Sequence, residues 1–533
     1  MNAEEDIKAI IEGGVDVSPA TLKKCSTDAS IFEVTPKAVI YPKNLSDLRA
    51  LVNFVSEKNR GGISLSLTPR AGGTCMSGGS LTEGYIVDLT HSFNIIDSVE
   101  TDTNTLWVES GVMHIDIEKA THPRGLFFAP YTSSRDICGI GGMIGNNASG
   151  EKSVKYGPTS SNITRLKVVL VDGNEYEFGP LTPSELEEKK SLATFEGEIY
   201  REVTKLIDEN AHIIDRDHPR VKKNAAGYPL WDLWDADRTH FNMARLFIGS
   251  QASLGIVTKA KLDLVHFPKA TRMIVAPISG LPDLTSVVKT LLRHSPDVCE
   301  TFDHHTYEFA KKYHPVEAEK ARLAEGKHMV IFAIYAGATA HEADVRAGQA
   351  KEELERIGKE VFWIDSPEVA ECLLLIRRKS FRMLLEHPDP RKRAMAFLED
   401  TIVPLDHYEE FLTALEAIIA EYDMIYTYAG HIGDGSIRLI PLVDMEQGGA
   451  QERVMEVEKR VNNLVFAFGG SMSVDHNDGI IRTPFLEQMY GKEMVTLFAK
   501  IKEIFDPLNI FNPGKKVGGS FEYAISHMVK KNQ

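Results

Sequence analysis

"TPRAGGTCMSGG", residues 68–79, decides how the N-terminal half of this chain is read. It follows the strand-like run "ISLSL" and packs four glycines and several hydroxyls into twelve residues. Glycine permits the positive φ angles at which successive backbone N–H groups turn toward one anion, so such a loop can cradle a phosphate. A tight turn between strands would use the same residues, and neither usual nucleotide fingerprint, G-x-G-x-x-G before a long helix or G-x-x-x-x-G-K-[ST], is present. A second cluster, "CGIGGMIGNNASGEKSVKYGPTSSNI" at residues 138–163, favours the cradle. Its distance along the chain lets the two loops face each other, and it offers close backbone approach and amide side chains. Neither loop sets a nucleophile beside a base, so the chemistry must come from something bound.

Composition narrows what that can be. Across 533 residues, 60 Lys+Arg stand against 76 Asp+Glu, a formal charge of −16. A broad positive field for nucleic acid or anionic lipid is therefore excluded, and any anion must meet a local basic cluster. No apolar run approaches the roughly 20 residues of a membrane span. The acidic start "MNAEEDIKAI" is unlike a secretory leader, so a cytoplasmic protein is expected, with peripheral membrane attachment left open. Cys25, Cys75, Cys138, Cys299 and Cys372 form no CxxC pair and read as structural thiols.

Strand and helix signals predict an α+β protein. "NLSDLRALVNFVSEKN" (44–59) opens on a polar cap and has helical apolar spacing, while "RLKVVLVDGNEYEF" (165–178) is a hairpin turning at Asp172-Gly173. Residues 182–245 look like an insertion or connector. After "FPKA" (267–270) the order becomes strand, helix, strand, strand, helix, as in an antiparallel sheet covered by helices. The predicted organisation is an N-terminal helical segment (1–35), a two-subdomain cofactor domain (36–268), a substrate or cap domain (269–505), and a C-terminal segment (506–533) returning to the first domain.

"PRAGGTCMSGG", "GGMIGNNASG…KYGPTS", "GSQASLGIVT", "HPRVKKNAAGYPLWDL", "AFLEDTIVPL", "GHIGDGSIR", "SVDHNDGIIRTP" and "FDPLNIFNPGK" occur in that order over about residues 36–515. Together they resemble the flavin enzymes of the vanillyl-alcohol-oxidase/para-cresol-methylhydroxylase superfamily, nearest the D-lactate, D-2-hydroxyglutarate and glycolate dehydrogenases. The resemblance implies bound FAD. Its pyrophosphate would lie along Arg70, Ala71, Gly72, Gly73, Thr74, Cys75, Ser77 and Gly78. Its ring and ribityl chain would lie by Pro130, Gly141, Gly142, Asn147, Ala148, Gly150, Tyr156 and Gly157, and its remainder by Gly255, Ile256, Val257 and Asn512. Thr74 stands where some relatives attach FAD through histidine, so noncovalent binding is expected. Gln251, Ala252 and Ser253 depart from the Glu, Gly and Thr usual there.

Oxidation of a 2-hydroxy acid needs a cation for the carboxylate, a base for the hydroxyl proton, and the C2 hydrogen aimed at flavin N5. By resemblance, Arg377 in "LLLIRRKSFR" (373–382) binds the carboxylate, and His476, preceded by Asp475, is the base. Relatives that use a divalent metal hold it with two histidines of an H-x-G-D-G-N-x-H loop and a glutamate. The corresponding positions here are His431, Arg438 and Asp475, with Ser436 replacing Asn. Arginine has no lone pair to donate, so a metal on His431 and Asp475 alone would be weak, and Arg438 is expected to replace the cation and bind substrate. A lysine used for substrate by some relatives falls at Leu398. The expected partners are a small anionic 2-hydroxy acid and an external electron acceptor: a quinone, an electron-transfer flavoprotein, an iron–sulfur subunit or oxygen. Nucleic acid is not expected, and a homodimer is compatible with the sequence. Two alternatives stand beside this: an FAD-binding electron-transfer or assembly subunit, and a non-redox transferase of the alkyl-dihydroxyacetone-phosphate synthase type, for which "DHH" (303–305) is the candidate histidine loop.

Overall fold

A computed structural model describes all residues except 1–2, 322, 324–325, 327, 390, 423 and 530–533. The outer ends of the segments 1–35 and 506–533 thus lie outside the described residues. Three sheets organise the rest. In the first, the parallel strands Ala38–Tyr41, Tyr85–Asp88 and Leu67–Arg70 lie side by side in that order. Leu45–Arg60 forms a helix because the Asn44 side chain caps it, accepting the Asp47 N–H at 3.0 Å, and because Leu48, Leu51, Val52 and Val55 make one buried stripe. The Asp47 carboxylate also accepts the N–H groups of Glu12, Gly13 and Lys43. It thereby holds the strand Gly14–Asp16 antiparallel against Ala38–Tyr41. The expectation of a purely helical segment at 1–35 is corrected here. Three residues are too few to show an alternating pattern, and their pairing with a distant strand has no local signal.

The second sheet is antiparallel and centres on Ile256–His266, which pairs with Thr105–Glu109, Leu126–Phe128 and Ile163–Val169. Ile163–Val169 turns back into Glu175–Phe178 through Gly173 at φ 74°, the hairpin that Asp172-Gly173 signalled. Residues 183–217 supply three helices, Pro183–Ser191, Phe195–Glu209 and Ala211–Asp217. The long helix Leu486–Phe505 packs on the last two, with Phe498 edge-on to Tyr228 and Tyr490.

The third sheet has eight antiparallel strands and forms the second domain. Ala270–Ile278, Met329–Gly337, Val298–Asp303, Ile425–Gly430 and Ser436–Asp444 run across its middle, with Leu398–Ile402 also paired to Ser436–Asp444. Alternate residues of a strand face opposite sides. Val298 and Phe302 therefore enter a core under the helices His304–Tyr313, Pro315–Ala321 and Pro367–Arg378. Cys299 and Ile331 enter the larger core under Leu284–Arg293, Ala340–Arg356 and Tyr408–Ala420. The α+β architecture read from the sequence is the one observed. No helix among the described residues is long and apolar enough to cross a membrane.

The chain's last part crosses back to the first domain at Asn512. Its buried amide donates to the carbonyls of Gly79 (2.8 Å) and Gln251 (2.7 Å), and its oxygen accepts from Thr68 Oγ1 at 3.1 Å. Asn512→Ala strands two buried carbonyls, at about 1–3 kcal/mol each if water does not reach them. We expect its thermal unfolding midpoint to fall by several degrees, measured by calorimetry.

Candidate functional site

Residues 69–75, 139–146 and 250–252 wall a cleft of about 820 Å³, open to solvent, that Ser110, Phe247 and Val257 complete. The two glycine loops meet because Gly72 has no side chain: a Cβ there would lie 2.0 Å from the Ile137 carbonyl oxygen. Gly142 and Gly145 do the opposite job. A Cβ on either would meet nothing nearer than 3.7 Å, so these glycines widen the cleft instead of relieving a contact. A long, narrow space walled by backbone and small side chains fits an extended dinucleotide. Gln251 joins the walls. Its Nε2 donates to Asn146 Oδ1 (3.1 Å) and Ser77 Oγ (3.2 Å), and its Oε1 accepts the Gly479 N–H at 2.8 Å.

Of the candidate cofactor residues, Arg70, Ala71, Gly72, Gly73, Thr74, Cys75, Gly141, Gly142 and Val257 line this cleft. The Arg70 guanidinium, however, turns away to donate to the Cys25 and Thr27 carbonyls, bracing the loop. Ser77 donates to the His476 carbonyl at 2.8 Å, and Gly78 packs against Phe32 and Ile480. Pro130, Asn147, Ala148, Gly150, Tyr156, Gly157, Gly255, Ile256 and Asn512 are not on the cleft wall. Asn147 ends the helix Ile140–Asn146 in a left-handed conformation, and its side chain accepts the Ser160 N–H. Ile256 belongs to the core of the first sheet.

A charged cluster lies next to these loops, tied to them through the Gly479 N–H on Gln251 and the Ser77 hydroxyl on the His476 carbonyl. Arg438 Nη2 lies 2.9 and 3.0 Å from the Asp475 carboxylate oxygens and 3.1 Å from His431 Nε2. The guanidinium thus occupies the space between the imidazole and the carboxylate. Because His431 Nε2 accepts from arginine, its proton is on Nδ1, which donates to Glu300 Oε1 at 2.5 Å. Burial, then the charges of Arg438 and Lys223, hold the His431 imidazole well below its ordinary value and so neutral. Glu300 takes a second bond from Arg377 Nε at 2.6 Å. Burial raises the Glu300 carboxyl to about 8, against the pull of Arg377. Asp475 also accepts from Ser149 Oγ at 2.5 Å, and Lys223 donates to Ser149 and Ser153 beside Asp434. Burial alone would raise the Asp475 carboxyl, but Arg438 beside it holds it well below the usual carboxylate range.

His476 sits next to this cluster. Its Nδ1 is 3.0 Å from Glu399 Oε1, and its Nε2 is 3.5 Å from Asp475 Oδ1. Both oxygens of Glu399 also take Arg482 Nη2 at 2.8 Å, and that guanidinium overcomes burial to keep Glu399 ionised. An ionised Glu399 draws the imidazole proton to Nδ1 and leaves Nε2 free to accept. Asp400 fixes the loop itself, accepting from Ser473 Oγ and from the N–H groups of Val474, Asp475 and His476. Asp400, Asp475 and His476 place one possible ligand atom each within 4.8 Å of one another. Those oxygens are already committed, Asp400 to the loop and Asp475 to Arg438 and Ser149, and a fixed guanidinium beside a divalent ion would repel it. The donor set does not fit a metal.

The structure therefore gathers His431, Arg438, Asp475 and His476. Arg377 comes only as far as Glu300, one residue back from His431. Its Nη2 and the Nε of Arg438 are buried N–H groups without a hydrogen-bond acceptor among the described residues. Glu300, Glu399, Asp400, Lys223 and Arg482 were not singled out from the sequence. Four of them lie in quoted stretches, "AFLED", "HPRVKKNAAGYP" and "HNDGIIRTP", whereas Glu300 had no local signal. "DHH" is not here: by strand alternation Asp303 faces the opposite side of the sheet from Glu300.

These features define a flavin-binding domain joined to a second domain that closes over it. Comparison with known proteins agrees: the FAD binding domain matches residues 36–179, and the C-terminal domain of FAD linked oxidases matches residues 267–516. The chain thus carries the two domains of FAD-linked oxidases, and its cofactor is FAD. It is 28% identical to a D-2-hydroxyglutarate dehydrogenase of Pseudomonas putida over 94% of this chain and 50% of that protein. It thus spans about half the length of the curated D-2-hydroxyglutarate dehydrogenases it matches. It is 25% identical to a D-lactate dehydrogenase of Archaeoglobus fulgidus, covering 92% of this chain and 96% of that one. Among solved structures, p-cresol methylhydroxylase shares the fold with a TM-score of 0.69 at 14% identity, over 97% of this chain and 98% of that one. Alkyldihydroxyacetonephosphate synthase does so with a TM-score of 0.65 at 15% identity, over 96% and 85%.

Glu300 sets a pH dependence. Its proton is kept in the fold to about pH 8 but lost by the unfolded chain above its ordinary value of 4.5. Its stabilisation is therefore complete below pH 4.5 and disappears as pH rises through 8, at no more than about 1.4 kcal/mol per pH unit. We expect denaturant unfolding of the wild type to weaken from pH 6.5 to 8, and Glu300→Gln to flatten that slope.

Proposed function

We propose that this chain oxidises a small D-2-hydroxy acid to the 2-oxo acid and passes the electrons to an external acceptor. One observation carries the proposal: a half-buried arginine stands between His431 and Asp475, and the His476 Nε2 lies 3.5 Å from that same carboxylate. Bound FAD supplies the acceptor for the C2 hydrogen and its electron pair. The residues do the rest. The unpartnered N–H groups of Arg438 and Arg377 suit a substrate carboxylate, which accepts charge-assisted hydrogen bonds from arginine especially well. His476 takes the hydroxyl proton on Nε2 as its Nδ1–H donates to Glu399, so the imidazolium that forms lies against an ionised carboxylate. Arg438 supplies a fixed positive charge close to the developing alkoxide, the task a divalent cation performs in metal-using enzymes. Kinship with the D-2-hydroxyglutarate and D-lactate dehydrogenases supports the substrate class. Noncovalent FAD follows from Thr74 on the cleft wall.

Mixing the FAD-loaded protein anaerobically with D- and L-forms of lactate, 2-hydroxyglutarate, malate and glycolate tests this. A D-acid should bleach the flavin absorbance, and His476→Gln should slow that bleaching about 10²- to 10⁴-fold. If no 2-hydroxy acid bleaches flavin that dithionite readily reduces, an electron-transfer or assembly role is left. A separate test concerns the cation. Arg438→His with Asp475→Glu should convert the enzyme to one that loses activity on chelation and regains it with added zinc or manganese, whereas the wild type should ignore chelators. Chelator-sensitive flavin reduction by the wild type would refute the assignment to Arg438.

A further inference from the structure

The "DHH" stretch absorbed by no other role lies at a corner of the second domain where three elements meet. Asp303 ends the strand Val298–Asp303, His304 and His305 open the helix His304–Tyr313, and His328 precedes the strand Met329–Gly337. The His304 N–H donates to the His328 carbonyl at 3.1 Å, fastening two of these elements at the backbone. One Asp303 oxygen caps the helix, accepting from the Thr306 N–H and hydroxyl. The other, Oδ2, belongs to a residue only 2% exposed and has no hydrogen bond. It points at His305 Nδ1, 3.4 Å away, which also lacks one. His328 Nε2 lies 3.3 Å from Glu416 Oε1 on the helix Tyr408–Ala420, again without hydrogen-bond geometry. The His304 ring is 3.9 Å from that of His305 and 5.9 Å from that of His328. A ligand atom from each of Asp303, His304 and His305 falls within 4.8 Å of the other two.

This combination is unusual for a polar surface. Buried polar atoms nearly always find hydrogen bonds, yet here Asp303 Oδ2 with His305 Nδ1, and His328 Nε2 with Glu416 Oε1, meet only as ion-pair contacts. The 3.4 Å between Asp303 Oδ2 and His305 Nδ1 suits a shared cation: with bonds of about 2.1 Å, the ligand atoms of a tetrahedral zinc site are roughly 3.4 Å apart. Neutral imidazoles and carboxylates are the donors that borderline divalent ions prefer. The partly exposed His304 and His305 leave the corner open to solvent, so an ion can enter.

We propose that Asp303, His304 and His305 bind a divalent transition-metal ion of the zinc type, with His328, whose ring lies 5.9 Å from that of His304, and its partner Glu416 supporting the corner from outside. The site is separate from the flavin cleft and on the other face of the sheet. It pins the end of one strand to the start of the helix that follows, so it is structural. One consequence is practical: a zinc atom found in the purified protein would belong here, not at His431.

The FAD-loaded full-length protein, stripped with chelator and titrated with Co²⁺ and then Zn²⁺, tests the assignment. One equivalent of Co²⁺ should give visible d–d absorption that Zn²⁺ abolishes. His304→Gln with His305→Gln should weaken binding at least 100-fold while leaving flavin reduction by substrate or dithionite unchanged, and Asp475→Asn should leave binding intact. Glu416→Gln, a milder change, should weaken binding about tenfold. Absence of saturable binding at micromolar metal, binding that survives both His304→Gln/His305→Gln and Glu416→Gln, or binding lost only in Asp475→Asn would each overturn the proposal.

Discussion

The contact between Arg438 and Asp475 sets the character of the site. Both side chains are withdrawn from water, a costly arrangement that a lone ion pair would not recover. It is maintained because each group has further partners. Asp475 accepts from Ser149, its own backbone is held by Asp400, and Arg438 reaches a His431 kept neutral by burial and by the cations around it. Substituting a guanidinium for a metal ion alters the chemistry as well as the composition. An arginine cannot dissociate and needs no metal supply. It also cannot polarise an oxygen by direct coordination, so under the proposed function it depends on hydrogen-bond geometry and more of the proton transfer would fall to His476.

That geometry is imposed by two domains together. The loop carrying Asp475 and His476 is tied to the first domain through Ser77, Gln251 and Ser149, while Asp400 and Glu399 tie it to the second-domain sheet. Gln251 and Ala252 hold positive φ angles of 51° and 55°. At Gln251 the side chain returns three hydrogen bonds to the surrounding loops, which offsets the strained backbone. The departure at Gln251 from the glutamate usual in the resembling family is thus a structural tie. On the sheet, Glu300 and Arg438 share one face because Phe302 pairs through Ala429 with Arg438 across neighbouring strands. Asp303, at odd spacing from Glu300, is directed to the other face. The same alternation that assembles the oxidation site keeps the histidine corner apart from it.

Much of this was determined by the sequence alone. The capped helix at Leu45–Arg60, the hairpin at Gly173 and the glycine turns of the two loops follow from short-range rules: side-chain capping, positive φ at glycine, and periods of 2 and 3.6. The expected strand, helix, strand, strand, helix order of the second domain is corrected by the helices His304–Tyr313 and Pro315–Ala321, which separate the strands Val298–Asp303 and Met329–Gly337. The exchange of a metal-ligating histidine for Arg438 was equally legible, because a guanidinium has no lone pair in any fold. What only the tertiary structure decided is where charges end up relative to one another. Glu300 engages Arg377 through Nε and leaves its Nη2 unpartnered among the described residues, Glu399 selects the tautomer of His476, Arg70 braces a loop instead of a phosphate, and Gly14–Asp16 becomes a strand. Each of these outcomes depends on a partner tens or hundreds of residues distant. Coulomb and hydrogen-bond energies are set by separations of a few ångströms in space, and spacing along a chain does not report them.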